Sequence, residues 1–505
     1  MHSPAPARDA RKVASLGVPS VDDILNGGLP CGHMYLLEGE PGAGKTTLAL
    51  QFLLEGIKQG ETVLYITLSE SHVELKAAAA SHGWDISEID VMELMAFGDK
   101  VDPDSLYTVL NPGDVELTDT LKVIRERVDS LDPKRVVLDS LSEVRLLAGD
   151  PLRFRREILV LKQYFLEKGT TVLMLDDRTA DHEDLQIHSL VHGIIKLERM
   201  ANEFGSERRR LTVTKLRATR FRGGYHDYKI IEGGLVAFPR LVAAEHRAQQ
   251  LPGTLLSGVS NLDDLLGGGL DHGTSTIVMG PAGSGKSTIV TMYAIAAVNA
   301  GDKVAMYLFD ENVGTLFARC KALEMPLEQH IESGMMTIQQ IDPAEMSPGE
   351  LIQHVRDAVT HRGVKHVVID SLIGLLNAMP EERLLTVQLH ELLSYLNQLG
   401  VTTLMTIAQH GLVGPMTSPA DLSYLADTLL LLRFFEADGE VRGAISVMKR
   451  RTGLHERTIR EFQITKGGVV VGPPMRGFRG VLTGVPTYTE GAVTLMERKG
   501  AESFQ

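Results

Sequence analysis

One eight-residue pattern limits this chain more than any other feature, because it occurs twice. Gly39-Glu40-Pro41-Gly42-Ala43-Gly44-Lys45-Thr46 returns as Gly280-Pro281-Ala282-Gly283-Ser284-Gly285-Lys286-Ser287, 241 positions later. Both copies fit the phosphate-binding loop G-x-x-x-x-G-K-[ST]. Its glycines let successive backbone N–H groups turn inward around a phosphate, and the lysine ammonium reaches the outer phosphates. The Thr46 or Ser287 hydroxyl then meets Mg²⁺. Each copy follows an apolar, strand-like run (34–37, 276–279) and precedes a helix-like one (48–57, 288–298). Such an order predicts an α/β chain with two nucleotide sites. Candidate binding residues are Gly39, Gly42, Ala43, Gly44, Lys45, Thr46 and Thr47, then Gly280, Gly283, Ser284, Gly285, Lys286, Ser287 and Thr288.

The repeat divides the 505 residues into two domains, although length alone would suggest about three. The expected boundaries are a flexible leader (1–14), a first domain (15–240), a linker (241–254), a second domain (255–488) and a tail (489–505). A net charge of −14 argues against a dedicated nucleic-acid coat. Cys31 and Cys320 stand in unrelated contexts without metal-ligand spacing, which fits a reducing cytoplasm. The first twelve residues lack the apolar core of a signal peptide, and no run approaches a membrane span.

Other features recur around the loops. Residues 17–29 are echoed by 258–270, each reading as a short lead-in helix, capped by Ser20 and closed by Gly27 in the first copy. Glu70 lies 25 positions after Lys45, and Glu311 lies 25 after Lys286. Acids just past such strands face the ligand crevice, where one can orient an attacking water. Ser69 and Asp310 precede them, so only the second half carries an acid pair. Apolar strands ending in Asp139 and Asp370 supply the carboxylate that supports the metal. Their offset is 231, and the ten-residue difference predicts a surface insertion near 101–117 in the first half. Trp84, the chain's single tryptophan, reads better as packing than as a base contact.

Far from each loop, a K-x-R pair closes a predicted hairpin, its arms 190–197 and 211–216 in the first half. The pairs are Lys215/Arg217, 170 residues after Lys45, and Lys449/Arg451, 163 after Lys286. They fit cations supplied to a nucleotide on a neighbouring subunit, or a charged hairpin rim.

Taken together, these residues resemble the KaiC family, the two-lobed ATPases and autokinases of circadian clocks with their bacterial and archaeal relatives. The resemblance covers residues 16–488. Its most specific parts are Ser81-His82-Gly83-Trp84, Asp370-Ser371-Leu372, and the run 442–462 with His455 and Ile459-Arg460-Glu461-Phe462. It implies two tandem RecA-like P-loop domains, each a mostly parallel twisted sheet flanked by helices, and a hexameric double ring with ATP and Mg²⁺ between subunits. Ser81 matches a nucleotide contact. Lys215, Leu216, Arg217 and Thr219, and in the second lobe Lys449, Arg450, Arg451 and His455, match residues that reach the neighbour's nucleotide. The first lobe would be the steady ATPase that drives assembly, and the second would transfer phosphate to hydroxyls near its interface. Asp310 and Glu311 fall on the family's base pair, and Ser423 and Tyr424 on its acceptor pair. A phenol holds its oxygen at the far end of a ring, so Ser423 is the expected acceptor, with Thr417 and Ser418 nearby. The clock members carry two glutamates after the strand in both lobes, where this chain has Ser69-Glu70 and Asp310-Glu311. The segment after Tyr488 is short, which argues against dependence on a KaiA-like activator and leaves KaiB-like or other signalling proteins as partners.

Two alternatives share the same core. A RecA- or RadA-like DNA-dependent ATPase would add basic loops or a zinc module, and an ATP-gated interaction hub would assemble with little turnover.

Overall fold

The computed structural model describes residues 12–94, 112–177, 185–201, 205–245, 253–377, 382–409, 423–437, 439–483 and 487–488. The chain divides into two compact units, 1–240 and 241–505.

In the first unit the described residues form a sheet of β1 (Met34–Gly39), β2 (Val63–Thr67), β3 (Asp90–Glu93), β4 (Arg135–Asp139), β5 (Thr171–Asp177), β6 (Gly193–Met200), β7 (Arg208–Leu216), β8 (Tyr225–Ile231) and β9 (Gly234–Phe238). Its order is β3-β2-β4-β5-β1-β6-β7-β8-β9. The strands from β3 to β6 run parallel, and β6 to β9 are joined antiparallel. The second unit repeats this with β10 (Ser275–Gly280), β11 (Val304–Leu308), β12 (Met336–Gln340), β13 (His366–Asp370), β14 (Thr402–Ala408), β15 (Thr428–Ala437), β16 (Glu440–Arg450), β17 (Arg460–Thr465) and β18 (Gly468–Pro474). Their order, β12-β11-β13-β14-β10-β15-β16-β17-β18, is the same topology strand for strand.

The central strands are apolar without a break because both faces are covered. Successive residues of β1 enter opposite layers: Tyr35 and Leu37 pack in one core, Met34 and Leu36 in the other. Helices α1 (Lys45–Lys58) and α2 (Lys286–Asn299) follow β1 and β10 directly. α1 buries Leu48, Phe52 and Leu53 against the first sheet. Among the described residues no helix is long and apolar enough to cross a membrane.

Several expectations need correction. Ser20 does not cap the lead-in helix: Val18 occupies that position, and the Ser20 hydroxyl instead accepts a hydrogen bond from the Ala237 amide at 3.1 Å. The helix does close as expected, with the Gly27 amide bonded to the Asp22 carbonyl at 2.7 Å. Its polar anchor is Asp22, which accepts from the Ser15 hydroxyl (2.6 Å) and the Leu16 amide (2.8 Å). Val13 and Ala14, placed with the leader, pair with Leu29 and Pro30. Leu241 and Ala243, placed in the linker, are buried in the second unit's core. The insertion at 101–117 falls outside the described residues up to 111, and the chain is helical from Pro112 to Leu131. The first hairpin arm starts at Gly193, after a short helix Leu185–Leu190. Trp84 packs on Gly234, where an added Cβ would lie 2.4 Å from its ring.

Arg135 at the start of β4 is almost fully buried. It donates to Glu61 (2.5 Å), to the Ser15 and Phe52 carbonyls (2.6 and 2.8 Å) and to Gln59 (3.0 Å). Removing one side of a buried charged network costs about 3–5 kcal/mol. Arg135→Ala is therefore expected to strip hydrogen-exchange protection from the first sheet while leaving β10–β18 protected.

Candidate nucleotide sites

Each phosphate loop is shaped by a glycine that a side chain could not replace without strain. Gly44 (φ +93°) and Gly285 (φ +94°) cap α1 and α2 in the left-handed region. An added Cβ at Gly44 would lie 2.5 Å from Ile230 of β8, and one at Gly285 3.0 Å from Ile464 of β17. The antiparallel extension of each sheet therefore backs its loop. In the first unit Tyr228 also donates to the Ala43 carbonyl at 2.6 Å. The helix N-terminus leaves its first amides unpaired and directed at the loop.

Inside this frame the lysines are buried but differently engaged. Lys45 donates to the Gly39 and Glu40 carbonyls (2.8 and 3.0 Å) and pairs with Asp177 at the end of β5 (2.7 Å). Lys286 donates to the Pro281 carbonyl at 2.7 Å. The residue matching Asp177 in register is Ala408. Burial pulls the Lys286 ammonium below its ordinary value, opposed by Asp370 and Asp310.

The strand-end aspartates are buried and turned towards the loops. Tyr65 donates to Asp139 at 2.5 Å and is itself hydrogen-bonded to Thr46. Asp370 accepts from Thr406 and is hydrogen-bonded to Ser287. Burial raises both carboxyls above the usual range. Tyr65 and Thr406 escaped the sequence reading because each sits in an apolar strand, with nothing to mark it as facing a site.

The acids beyond β2 and β11 differ more. Glu70 is half-buried, and its backbone is tied to the Thr67 hydroxyl, which accepts from the Glu70 amide at 2.9 Å. Burial raises its carboxyl, and Asp139, Glu74 and Asp177 push the same way while Lys45 opposes. In the second unit Asp310 accepts from Ser371, and an added Cβ on Gly374 would lie 2.7 Å from its carboxylate. Glu311 is clamped by Arg319, with contacts of 3.2 and 2.8 Å. Arg319 also donates to Thr288 at 3.3 Å. The two acids read as one pair thus have separate partners. No sequence pattern marked Arg319, whose first-unit counterpart is Ala78.

Ser81 ends the helix His72–Ser81 and donates to the Ala78 carbonyl at 2.7 Å. The adjacent His82 lies 3.4 Å from Thr47, which brings this segment beside α1.

The K-x-R pairs lie elsewhere. Lys215 is in register with Ile194, whose neighbour Gly193 pairs with Tyr35 near the start of β1. The phosphate loop leaves the other end of β1, four residues and about 13 Å away. In the second unit Lys449 pairs with Leu429, next to Thr428, which is in register with Thr276 of β10. Lys449 donates to the Ser423 and Ala426 carbonyls (2.9 and 2.7 Å), and Arg451 to the Tyr424 carbonyl (2.9 Å). Leu216 buries its side chain in the core, and Arg450 turns inward to Asp271 at 2.9 Å. Thr219 and His455 follow in half-exposed loops. Thr417 and Ser418 lie outside the described residues.

Two duplicated loops on duplicated sheets, each with terminal cations remote from the loop of its own unit, set the terms for comparison with known proteins. The family model "ATPase: KaiC" matches residues 14–242 and again 255–476. The chain belongs to the KaiC ATPase family. It is similar to circadian clock protein KaiC3 of Synechocystis sp., 28% identical over 94% of both chains. The circadian clock oscillator protein KaiC of Acaryochloris marina is 26% identical over 93% of this chain and 90% of its own. That of Prochlorococcus marinus subsp. pastoris is 27% identical, covering 93% and 92%. Membership in a KaiC ATPase family carries ATP binding with it.

If Glu70 is the base, first-unit hydrolysis should fall as pH drops through a value raised above that of an ordinary glutamate. Asp177→Asn removes a like charge and leaves Lys45 less neutralised, and both effects lower that value. In a Lys286→Ala background, Asp177→Asn should move the acid limb of the pH–rate profile to lower pH. An unmoved limb would remove Glu70 from the reaction.

Proposed function

We propose that this protein is an ATP-driven autokinase and ATPase that assembles as a hexameric double ring, with nucleotide held between subunits, in a signalling or circadian-type timing system. The observation that carries the reading is the placement of Lys215/Arg217 and Lys449/Arg451 at the sheet end remote from their own phosphate loops. Cations there cannot reach the nucleotide of their own lobe, and they suit one bound by a neighbour.

Within a lobe, loop amides and Lys45 or Lys286 would hold the phosphates. Thr46 with Asp139, and Ser287 with Asp370, offer only hard oxygen donors, which fits Mg²⁺ better than softer metals. The ion would offset charge on the transferring phosphoryl group. Lys215 and Arg217, or Lys449 and Arg451, would approach that phosphate from the adjoining subunit.

The lobes then divide the work. Glu70, half-buried and of raised proton affinity, would orient water in the first. In the second, Asp310 is fixed by Ser371 near Lys286 and would take the acceptor's proton, while Arg319 holds Glu311 aside. Ser423 and Tyr424 sit beside Lys449 and Arg451, so transfer to them would also cross the interface. The exposed Tyr424 carries its oxygen farther out, and Ser423 is the acceptor favoured here. KaiB-like or other signalling proteins are the partners this reading expects, in a cytoplasmic setting.

Incubation with γ-labelled ATP should place phosphate on Ser423, and Lys286→Ala should cut that label about 100-fold or more, the scale of losing a major phosphate contact. Lys286→Ala chains mixed with Ser423→Ala chains should regain it, on the Lys286→Ala chains alone. Label that survives Lys286→Ala, or no label in wild type, would sink the kinase half. Hydrolysis stimulated by single-stranded DNA in a salt-dependent way would favour a recombinase instead.

A further inference from the structure

The segment bearing Ser423 and Tyr424 has a twin in the first lobe. Gly193 pairs with Tyr35 of β1, and Thr428 pairs with Thr276 of β10 at the equivalent register. Four residues before these strand positions lie Ser189 and Tyr424, and five before lie His188 and Ser423. The same two hydrogen bonds pin both segments. Lys215 donates to the His188 carbonyl as Lys449 does to that of Ser423. Arg217 donates to the Ser189 carbonyl at 2.9 Å, as Arg451 does to that of Tyr424. Where the second lobe presents a phenol, the first presents a short aliphatic hydroxyl.

Ser189 is exposed, and Arg155 donates to its Oγ at 3.3 Å. Lys162 lies alongside, bonded to the Leu190 carbonyl at 2.7 Å. By the 231-residue offset of the preceding strands, positions 386 and 393 hold Thr and Leu in place of Arg155 and Lys162. Among the described residues, the first lobe alone places two cations beyond the K-x-R pair at these matched helix positions. Such a cluster can hold a phosphorylated serine through charge-assisted hydrogen bonds.

We propose that Ser189 is a phosphoacceptor of the first lobe, labelled from the nucleotide on the neighbouring subunit and held afterwards by Arg155 and Arg217. The proposal rests on the reading above that nucleotide lies between subunits. Ser189 Oγ forms a bond to the γ-phosphorus of ATP as the bond from that phosphorus to the β–γ bridging oxygen breaks. ADP leaves, and the hydroxyl proton passes to the neighbour's Glu70 carboxylate and on to solvent. First-lobe turnover thereby splits between water and Ser189, and the phosphate formed adds negative charge where Lys215 and Arg217 would otherwise face the neighbour's ATP.

The test uses the full chain with γ-labelled ATP and Mg²⁺, reading assembly by light scattering and phosphosites by tandem mass spectrometry. Wild type should carry phosphate on Ser189. The triple variant Lys286→Ala, Ser423→Ala, Tyr424→Phe should keep it, and adding Ser189→Ala should abolish the remaining label. Lys45→Ala chains mixed with Ser189→Ala chains should show Ser189 phosphate on the Lys45→Ala chains only. Wild-type rings that hydrolyse ATP yet leave Ser189 bare overturn this proposal and leave the functional reading intact. Absence of ATP-dependent assembly in wild type overturns both.

Discussion

The length of one strand governs what each lobe can do by itself. β1 delivers the chain to Gly39 and Lys45 at one end of the sheet, while Gly193 and Leu216 are registered near its other end. β10 imposes the same separation between Lys286 and Lys449. A rigid parallel sheet, apolar on both faces, cannot fold back to close that gap. Under the proposed ring, whatever Lys215, Arg217, Lys449 and Arg451 contribute to phosphate chemistry would go to another subunit. The hydroxyls beside them share that constraint.

Within the common frame, the lobes diverge through a few side chains at the ligand ends of the strands. Asp177 neutralises Lys45, and the matching position in β14 is Ala408. Asp139 is held by Tyr65 of β2, and Asp370 by Thr406 of β14. These supports arrive from opposite sides of the aspartate strand, so the two carboxylates are aimed by different neighbours. Gly374 gives Asp310 room against the helix after β13, where the first lobe carries Glu143. Conserving a topology leaves these choices open, because each concerns one side chain and no backbone hydrogen bond.

The backbone features were the legible ones. A phosphate loop is a backbone device, so its glycines and lysine keep their spacing and announce themselves in sequence. The strand-end positions of Glu70, Asp139, Asp310 and Asp370 followed from continuous apolar runs. Ser20 was misread because a serine near a helix start resembles a cap, whereas here its hydroxyl serves the Ala237 amide, over two hundred residues away. Arg319 was illegible for a related reason: its value lies in reaching Glu311 and Thr288 together, which no local pattern encodes. The twin relation between Ser189 and Tyr424 was hidden by unequal loop lengths. The repeat offset moves from 241 at the phosphate loops to 231 at the aspartate strands and 235 at β6 and β15. Only sheet register restores the alignment.

Equal loops do not make equal sites. A phosphate arriving at Lys45 meets an ammonium already paired with a carboxylate at 2.7 Å, so binding exchanges one anion for another. At Lys286 the incoming phosphate replaces a contact to the Pro281 carbonyl, and the exchange trades a dipole for a full charge. Burial has pulled that lysine down, a penalty the phosphate charge offsets on binding. A phosphate at the first loop would have to displace Asp177, whose charge already repels Glu70 and Asp139, so the exchange at the second loop would gain the more.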